Sequence, residues 1–444
     1  NAGFQVTTEA WIESYDQIYE NARQEWKRSI LSKTGEGADT MDFFTVYSTT
    51  PFKMPAGDPI QKPAEGEDTE NAIYVLSRIA GEGSDRTADK GDYDLSEEEH
   101  QMLADICAYY KNVVVVINAG AQVDLSFMDE FRNIRALLVI VQPGMEGGNA
   151  FADILSGKVN PSGKLSDTWA YKYEDYPSSE KFSHNNGNVE TELYDEGIYV
   201  GYRYFDTFEV PVRYGFGYGL SYTDFEITGC ALKAVSAEKI RVTATVRNTG
   251  NVSGKEVVQV YYSAPDGTIE KPYQELGGFG KSDLLSPGES QTITISFPTR
   301  SMASYDEKKA AWVLEAGTYY IRVGNSSRTT KVAAALNLKE TVVTVQGKNL
   351  FPADDAPQEL SKAGVTPYSY EGEAEEKAAA KQIEICSKCI KTETVIYSGT
   401  PEAFPVYEGE KLTAADVKSG KATLKDLVSQ LTVEEMATVC NGTA

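Results

Sequence analysis

Asn112-Val113-Val114-Val115-Val116-Ile117-Asn118-Ala119-Gly120 is the stretch on which the fold turns. A β-branched run without polar alternation reads as a buried strand, and such strands belong to parallel sheets covered by helices. On its amino-terminal side Ser96-Glu97-Glu98-Glu99 opens a helix as a capping box. That helix, running to about Lys111, sets Leu103, Ile106, Cys107 and Tyr110 on one face. Before it, Ala72 to Ala80 reads as a strand leading into Gly81-Glu82-Gly83; beyond it, Ala136 to Val141 reads as a strand leading into Gly144-Met145-Glu146-Gly147-Gly148. Strands alternating with helices predict an α/β/α sandwich with a mostly parallel sheet over residues 1–221. Ligands bind in such sheets at the loops beyond the strands' carboxyl ends, and Glu82 sits in one of them.

From Tyr222 to Gln346 the period becomes two. Ile240, Val242, Ala244 and Val246 alternate with Arg241, Thr243, Thr245 and Arg247, and turns recur at Asn248-Thr249-Gly250, Pro265-Asp266-Gly267, Ser286-Pro287-Gly288 and Glu315-Ala316-Gly317. Residues 222–346 are therefore expected to form a β-sandwich of fibronectin type III kind. Residues 347–444 read as a linker, polar from Pro352 to Lys381, with a possible strand at Ile383 to Tyr397. Helical spacing follows from Thr423 to Val439, with a second capping box at Thr432-Val433-Glu434-Glu435.

Composition narrows the function. The 444 residues amount to about three average domains, with 42 basic against 66 acidic side chains for a net charge of −24. A field of that sign repels phosphate, so neither nucleic acid nor an anionic membrane is an expected partner. The longest apolar runs, Val113 to Ile117 and Ala136 to Val141, fall far short of the roughly 18 residues of a spanning helix. Five cysteines indicate no disulfide scaffold, and Cys386-Ser387-Lys388-Cys389 reads as two incidental thiols. On these grounds the chain is expected to be cytoplasmic, although Asn1-Ala2-Gly3-Phe4 opens without an initiator Met.

Several chemistries lack material. With two histidines, His100 on an expected helix surface and His184 in a polar loop, a His-based triad or His-rich metal site has almost no material. Gly280-Lys281-Ser282 ends like a phosphate loop, but Glu275 stands where its first glycine belongs. Asp89, Asp92 and Asp94 miss the calcium-loop pattern and read as a solvated loop. The loop from Gly144 to Asn149 reads as a tight turn rather than an anion site, because Glu146 is negative. Gly81-Glu82-Gly83-Ser84-Asp85-Arg86 is the sharper segment: glycines let the backbone turn and project the Glu82 carboxyl, with Asp85 and Arg86 near enough to tune it. On composition alone a surface loop is the better reading.

Four motifs in order carry a resemblance. They are Ile79-Ala80-Gly81-Glu82-Gly83-Ser84-Asp85-Arg86, Val159-Asn160-Pro161-Ser162-Gly163-Lys164-Leu165, Tyr199-Val200-Gly201-Tyr202-Arg203-Tyr204-Phe205-Asp206, and Tyr214-Gly215-Phe216-Gly217-Tyr218-Gly219-Leu220-Ser221-Tyr222-Thr223. Together they resemble the second and third domains of family-3 glycoside hydrolases of the β-glucosidase type. The resemblance implies retaining hydrolysis of a β-glucoside or cello-oligosaccharide, with Glu82 as general acid/base and Asp85 and Arg86 as candidate substrate contacts. It implies no metal or organic cofactor. The aspartate nucleophile belongs to a (β/α)8 barrel that is not in this chain, and that barrel, in the same or a separate chain, is the expected partner, with an oligomer possible.

Asp416 to Lys421 and Leu431 to Met436 look like the lead-in to the barrel, which places it after the β-sandwich, as in permuted β-glucosidases. The sandwich is expected to lack its first strand and helix, with Gln5 to Thr7 a strand. β-Xylosidase or exo-glucanase activity is the alternative within the family. A non-catalytic carbohydrate-binding or adhesion protein is the alternative outside it.

Overall fold

The computed structural model describes residues 3–35, 37, 39–79, 85–350, 357–396 and 407–441. Two helices come first, α1 (Glu9–Thr34) and α2 (Thr40–Ser48), and no strand forms at residues 5–7. Trp26 of α1 ties them to the following loop, donating from Nε1 to the Thr50 carbonyl at 2.7 Å and meeting the Phe52 ring edge-on.

The sheet beside them is built from β1 (Asn71–Ser77), β2 (Asn112–Asn118) and β3 (Ile134–Val139), all parallel, in the order β1-β2-β3. Helix α3 (Glu97–Tyr109) precedes β2. Its capping box forms as expected: Ser96 Oγ accepts from Glu99 N at 3.1 Å, and Glu99 Oε2 accepts from Ser96 N at 2.8 Å. Leu103 and Ile106 then pack on Leu76, Val113, Val115 and Ile117 in one buried cluster. A short helix α4 (Phe127–Glu130) leads into β3, and α5 (Gly147–Leu155) follows it. Because side chains alternate along a strand, Val75 and Val116 face away from α3. With α5 they line a cavity of about 480 Å³.

A short ribbon, β4 (Trp169–Ala170) with β5 (Val212–Tyr214), and helix α6 (Tyr202–Thr207) connect to the β-sandwich. Its strands are β6 (Phe225–Val235), β7 (Lys239–Asn248), β8 (Val257–Ser263), β9 (Glu275–Lys281), β10 (Ser290–Pro298), β11 (Ser304–Asp306), β12 (Ala311–Leu314), β13 (Gly317–Gly324), β14 (Lys331–Leu338) and β15 (Val342–Gln346). The alternation read at Ile240, Val242, Ala244 and Val246 points inward, against Ile295, Phe297, Val260 and Ile321. Roughly 25 cal/mol per Å² of apolar area removed from water makes this cluster the main stabilising element of the module.

Residues beyond 346 do more than connect. Helix α7 (Glu373–Ala379) docks on β14; β16 (Gln382–Ile385) then pairs parallel with β14 in one sheet, and β17 (Glu393–Thr394) with β15 in another. At the crossing between sheets Cys386 and Cys389 form a disulfide, so these thiols are paired, not incidental. The helical spacing from Thr423 resolves into α9 (Leu424–Ser429) and α10 (Val433–Asn441) after a short α8 (Ala414–Lys418). The box at Thr432 and Glu435 starts a new helix instead of continuing the old one. Among the described residues no helix is long and apolar enough to cross a membrane.

Candidate active site: the stems of an acidic loop

Glu82 lies within residues 80–84, outside the described residues. The chain on either side of it is described. Arg78 directly follows the last residue of β1 and is 8% exposed. Its fork grips Glu99 at 2.6 and 2.9 Å, Nε donates to the Asp92 carbonyl at 2.6 Å, and the remaining N–H groups reach the Ser77 and Asp94 carbonyls. All five guanidinium donors are thereby used. Glu99 serves twice, as partner of Arg78 and as capping residue of α3.

On the far side, Asp85 is exposed, while Arg86 is half-buried. Arg86 Nε donates to Asp92 Oδ1 at 2.6 Å, Nη2 to the Asp92 carbonyl at 2.8 Å, and Nη1 to the Gln122 carbonyl at 2.7 Å. The other Asp92 oxygen accepts from Thr87 N at 2.6 Å. Asp92 is thus not a member of a solvated loop. Its neighbours Asp89 and Asp94 are exposed, and Asp94 is pushed up by partial burial and by the nearby Asp124 and Glu174 carboxylates. The sequence does not single out Arg78 or Gln122, and Asp92 reads there as solvated, because the residues that meet Arg78 and Arg86 stand 14 and 36 positions away. Among the described residues no group of three or more His, Cys, Asp or Glu side chains could hold a metal.

The 480 Å³ cavity on the opposite face of the sheet is lined by Val75, Val116, Ile140, Pro143 and Phe151 with the amides of Asn118 and Gln142. It offers shape and hydrogen bonds, but its lining has no group that transfers a proton.

The other three motifs go elsewhere. Asn160 Oδ1 accepts from Ser221 Oγ and Tyr222 N, both at 2.9 Å, and its Nδ2 donates to the Ser253 carbonyl. Lys164 pairs with the buried Glu256 at 2.8 Å. Gly219 passes so near the Gly163 carbonyl that a Cβ would stand 2.4 Å from it, and Gly217 has φ +80°, which glycine alone adopts without strain. Asp206, 1% exposed, meets Arg328 at 2.6 Å and Gln274 at 3.0 Å, and burial pushes its carboxyl up to about 6 against the pull of Arg328. Tyr202 OH accepts from Leu276 N. These residues join the two folded modules.

The described residues thus form a parallel α/β unit whose carboxyl-terminal motifs are built into a β-sandwich module. Residues 6–202 match the Glycosyl hydrolase family 3 C-terminal domain, and residues 256–327 match the Fibronectin type III-like domain. The chain belongs to glycoside hydrolase family 3. It is similar to Beta-glucosidase A of Butyrivibrio fibrisolvens, 35% identical over 90% of this chain and 55% of that protein. It is also similar to the Beta-glucosidase of Ruminococcus albus, 36% identical over 88% of this chain and 40% of that protein. The solved β-glucosidase from Paenibacillus barengoltzii superposes with a TM-score of 0.70 at 33% identity, covering 95% of this chain and 46% of that one. The chain spans about half the length of the relatives it matches.

Proposed function

We propose that this chain is the acid/base-bearing part of a retaining β-glucosidase that removes terminal β-D-glucosyl residues from β-glucosides or cello-oligosaccharides. Glu82 protonates the leaving-group oxygen, then takes a proton from the water that resolves the glycosyl intermediate. The nucleophile is an aspartate of a (β/α)8 barrel outside these residues, with the carboxyl pair about 5–5.5 Å apart, as retention requires. In this reading residues 1–221 carry the acid/base loop, 222–346 brace it, and 347–444 lead to the barrel.

The observation that carries the proposal is the carboxyl end of β1 at Ser77, four residues before the Gly81-Glu82-Gly83 segment in the sequence of the family-3 domain, since the carboxyl ends of such strands are where these folds hold ligands. The non-catalytic alternative calls for a flat aromatic platform on the β-sandwich. The exposed pair there, Tyr305 and Trp312, is tilted by 58°, which counts against stacking a sugar chain across both.

Chemical rescue tests the assignment. In the complete enzyme, Glu82→Ala should recover activity on an activated aryl glucoside when azide is added, giving β-glucosyl azide with retained configuration, because an anion can attack the intermediate without a base. Absence of rescue, or an α-azide, removes Glu82 from the role.

A further inference from the structure

We infer that Asp92 is a positioning residue for the acid/base, tying together the two chain segments that enter and leave the Glu82 loop. This rests on the acid/base reading above.

The observation is a convergence. The Asp92 carbonyl accepts from Arg78 Nε at 2.6 Å and from Arg86 Nη2 at 2.8 Å. One of these arginines stands four residues before Glu82 and the other four after it. A carbonyl oxygen has two lone pairs, and here each is taken by a guanidinium from a different side of the loop. The Asp92 carboxylate adds a charge-assisted bond to Arg86 Nε at 2.6 Å and accepts from Thr87 N at 2.6 Å, fixing the outgoing stem a second time.

The clamp is anchored to rigid elements. Arg78 is bidentate on Glu99, the capping residue of α3. Arg86 reaches the Gln122 carbonyl in the segment after β2, and Asp124 N donates to the Tyr93 carbonyl beside Asp92 at 2.8 Å. Gly91, with φ +88°, lets the chain turn back so that Gly91 N meets the Asp94 carbonyl at 2.8 Å. The end of β1, the start of α3 and the loop after β2 therefore set the spacing of the two stems. Fixed spacing of the residues on either side is what a reacting carboxyl between them requires, because a misplacement of about 1 Å in a reacting group costs on the order of 100-fold in rate. The same contacts occupy the Arg86 guanidinium from three sides, so its part in the reaction is to hold the loop.

The test uses the complete enzyme and two substrates, cellobiose, whose leaving group needs protonation, and 2,4-dinitrophenyl β-glucoside, whose leaving group does not. Asp92→Asn keeps the backbone carbonyl and the side-chain shape but loses the charge; Arg86→Lys keeps a charge but loses the fork. Each should lower kcat/KM for cellobiose by about 10- to 100-fold, with the dinitrophenyl glucoside within about threefold and the thermal melt still cooperative. Equal losses on both substrates, or no loss in a folded variant, overturn the positioning role. Arg86→Lys supplies the answer where Asp92→Asn does not fold. Glu82→Ala is run alongside: if it fails to discriminate between the substrates, the acid/base assignment is wrong, whereas if it discriminates and the Asp92 and Arg86 variants do not, only the clamp is wrong.

Discussion

The stems of the Glu82 loop and the junction between the two modules are both made of arginines gripping carboxylates, yet they differ in what they enclose. At the junction Asp206 is buried against Arg328, and beside it Arg322 of β13 is fully buried and paired with Glu373 of the docked helix α7. At the loop Arg86 and Asp92 remain partly open to solvent. A closed ion pair holds a scaffold in one arrangement. An open one at the edge of a site holds a loop while leaving room for a ligand. The difference teaches that a family motif need not mark chemistry: of the four motifs, three are spent on the junction, and only the remaining one is proposed to carry the reaction.

The largest effect expected on stability is at the closed pair. Arg322→Ala leaves Glu373 buried with only Lys377, Ser369 and Tyr273 for partners, and should cost about 3–5 kcal/mol in urea denaturation. In the complete enzyme, kcat/KM per folded molecule should barely change; a selective loss on cellobiose would join the junction to the site and break the comparison. Asn160→Ala removes three hydrogen bonds at the junction, two of them between the modules, and should cost about 1–3 kcal/mol, read the same way.

Protons sharpen the contrast further. Burial raises the Asp206 carboxyl in the folded state to about 6, from an ordinary 3.8, so its contribution is fully present below pH 3.8 and lost as pH rises through 6. Glu373 behaves oppositely. Burial alone would raise it, but Arg322, Lys377 and Ser369 hold it down to about 2, so its contribution is present above 4.5 and lost as pH falls toward 2. Between pH 4 and 6 the stability of the wild type should therefore fall relative to Asp206→Asn, with a slope approaching one proton, and the two should run parallel above pH 7. Parallel curves throughout would place Asp206 in a more hydrated setting. The smallest effect is expected from Cys386→Ser with Cys389→Ser, about 2 kcal/mol or less for so short a loop, seen as faster hydrogen exchange in β16 and β17.

Much of this organisation was legible in the sequence because it is local. The Val113 to Ile117 run, the Ser96 capping box and the period-two alternation of β7 each report on neighbours a few residues apart. The clamp was not legible, since Arg78 and Asp92 stand 14 residues apart and meet only because α3 and the loop before it fold back over the sheet. Asp89, Asp92 and Asp94 look alike in sequence, and only the return of the chain at Gly91 singles out Asp92. The α9 and α10 pair shows the same limit: one apolar spacing ran across two helices, and the second capping box marks the break.

The most direct measurement of the central claim is the dependence of kcat/KM on leaving-group pKa for a series of aryl β-glucosides, taken with the complete enzyme and with Glu82→Gln. A shallow dependence in the wild type, where the leaving oxygen receives a proton, should become steep in Glu82→Gln, with the two lines converging at the most acidic phenols. Two parallel lines, displaced by the same factor at every leaving group, would contradict an acid/base role for Glu82.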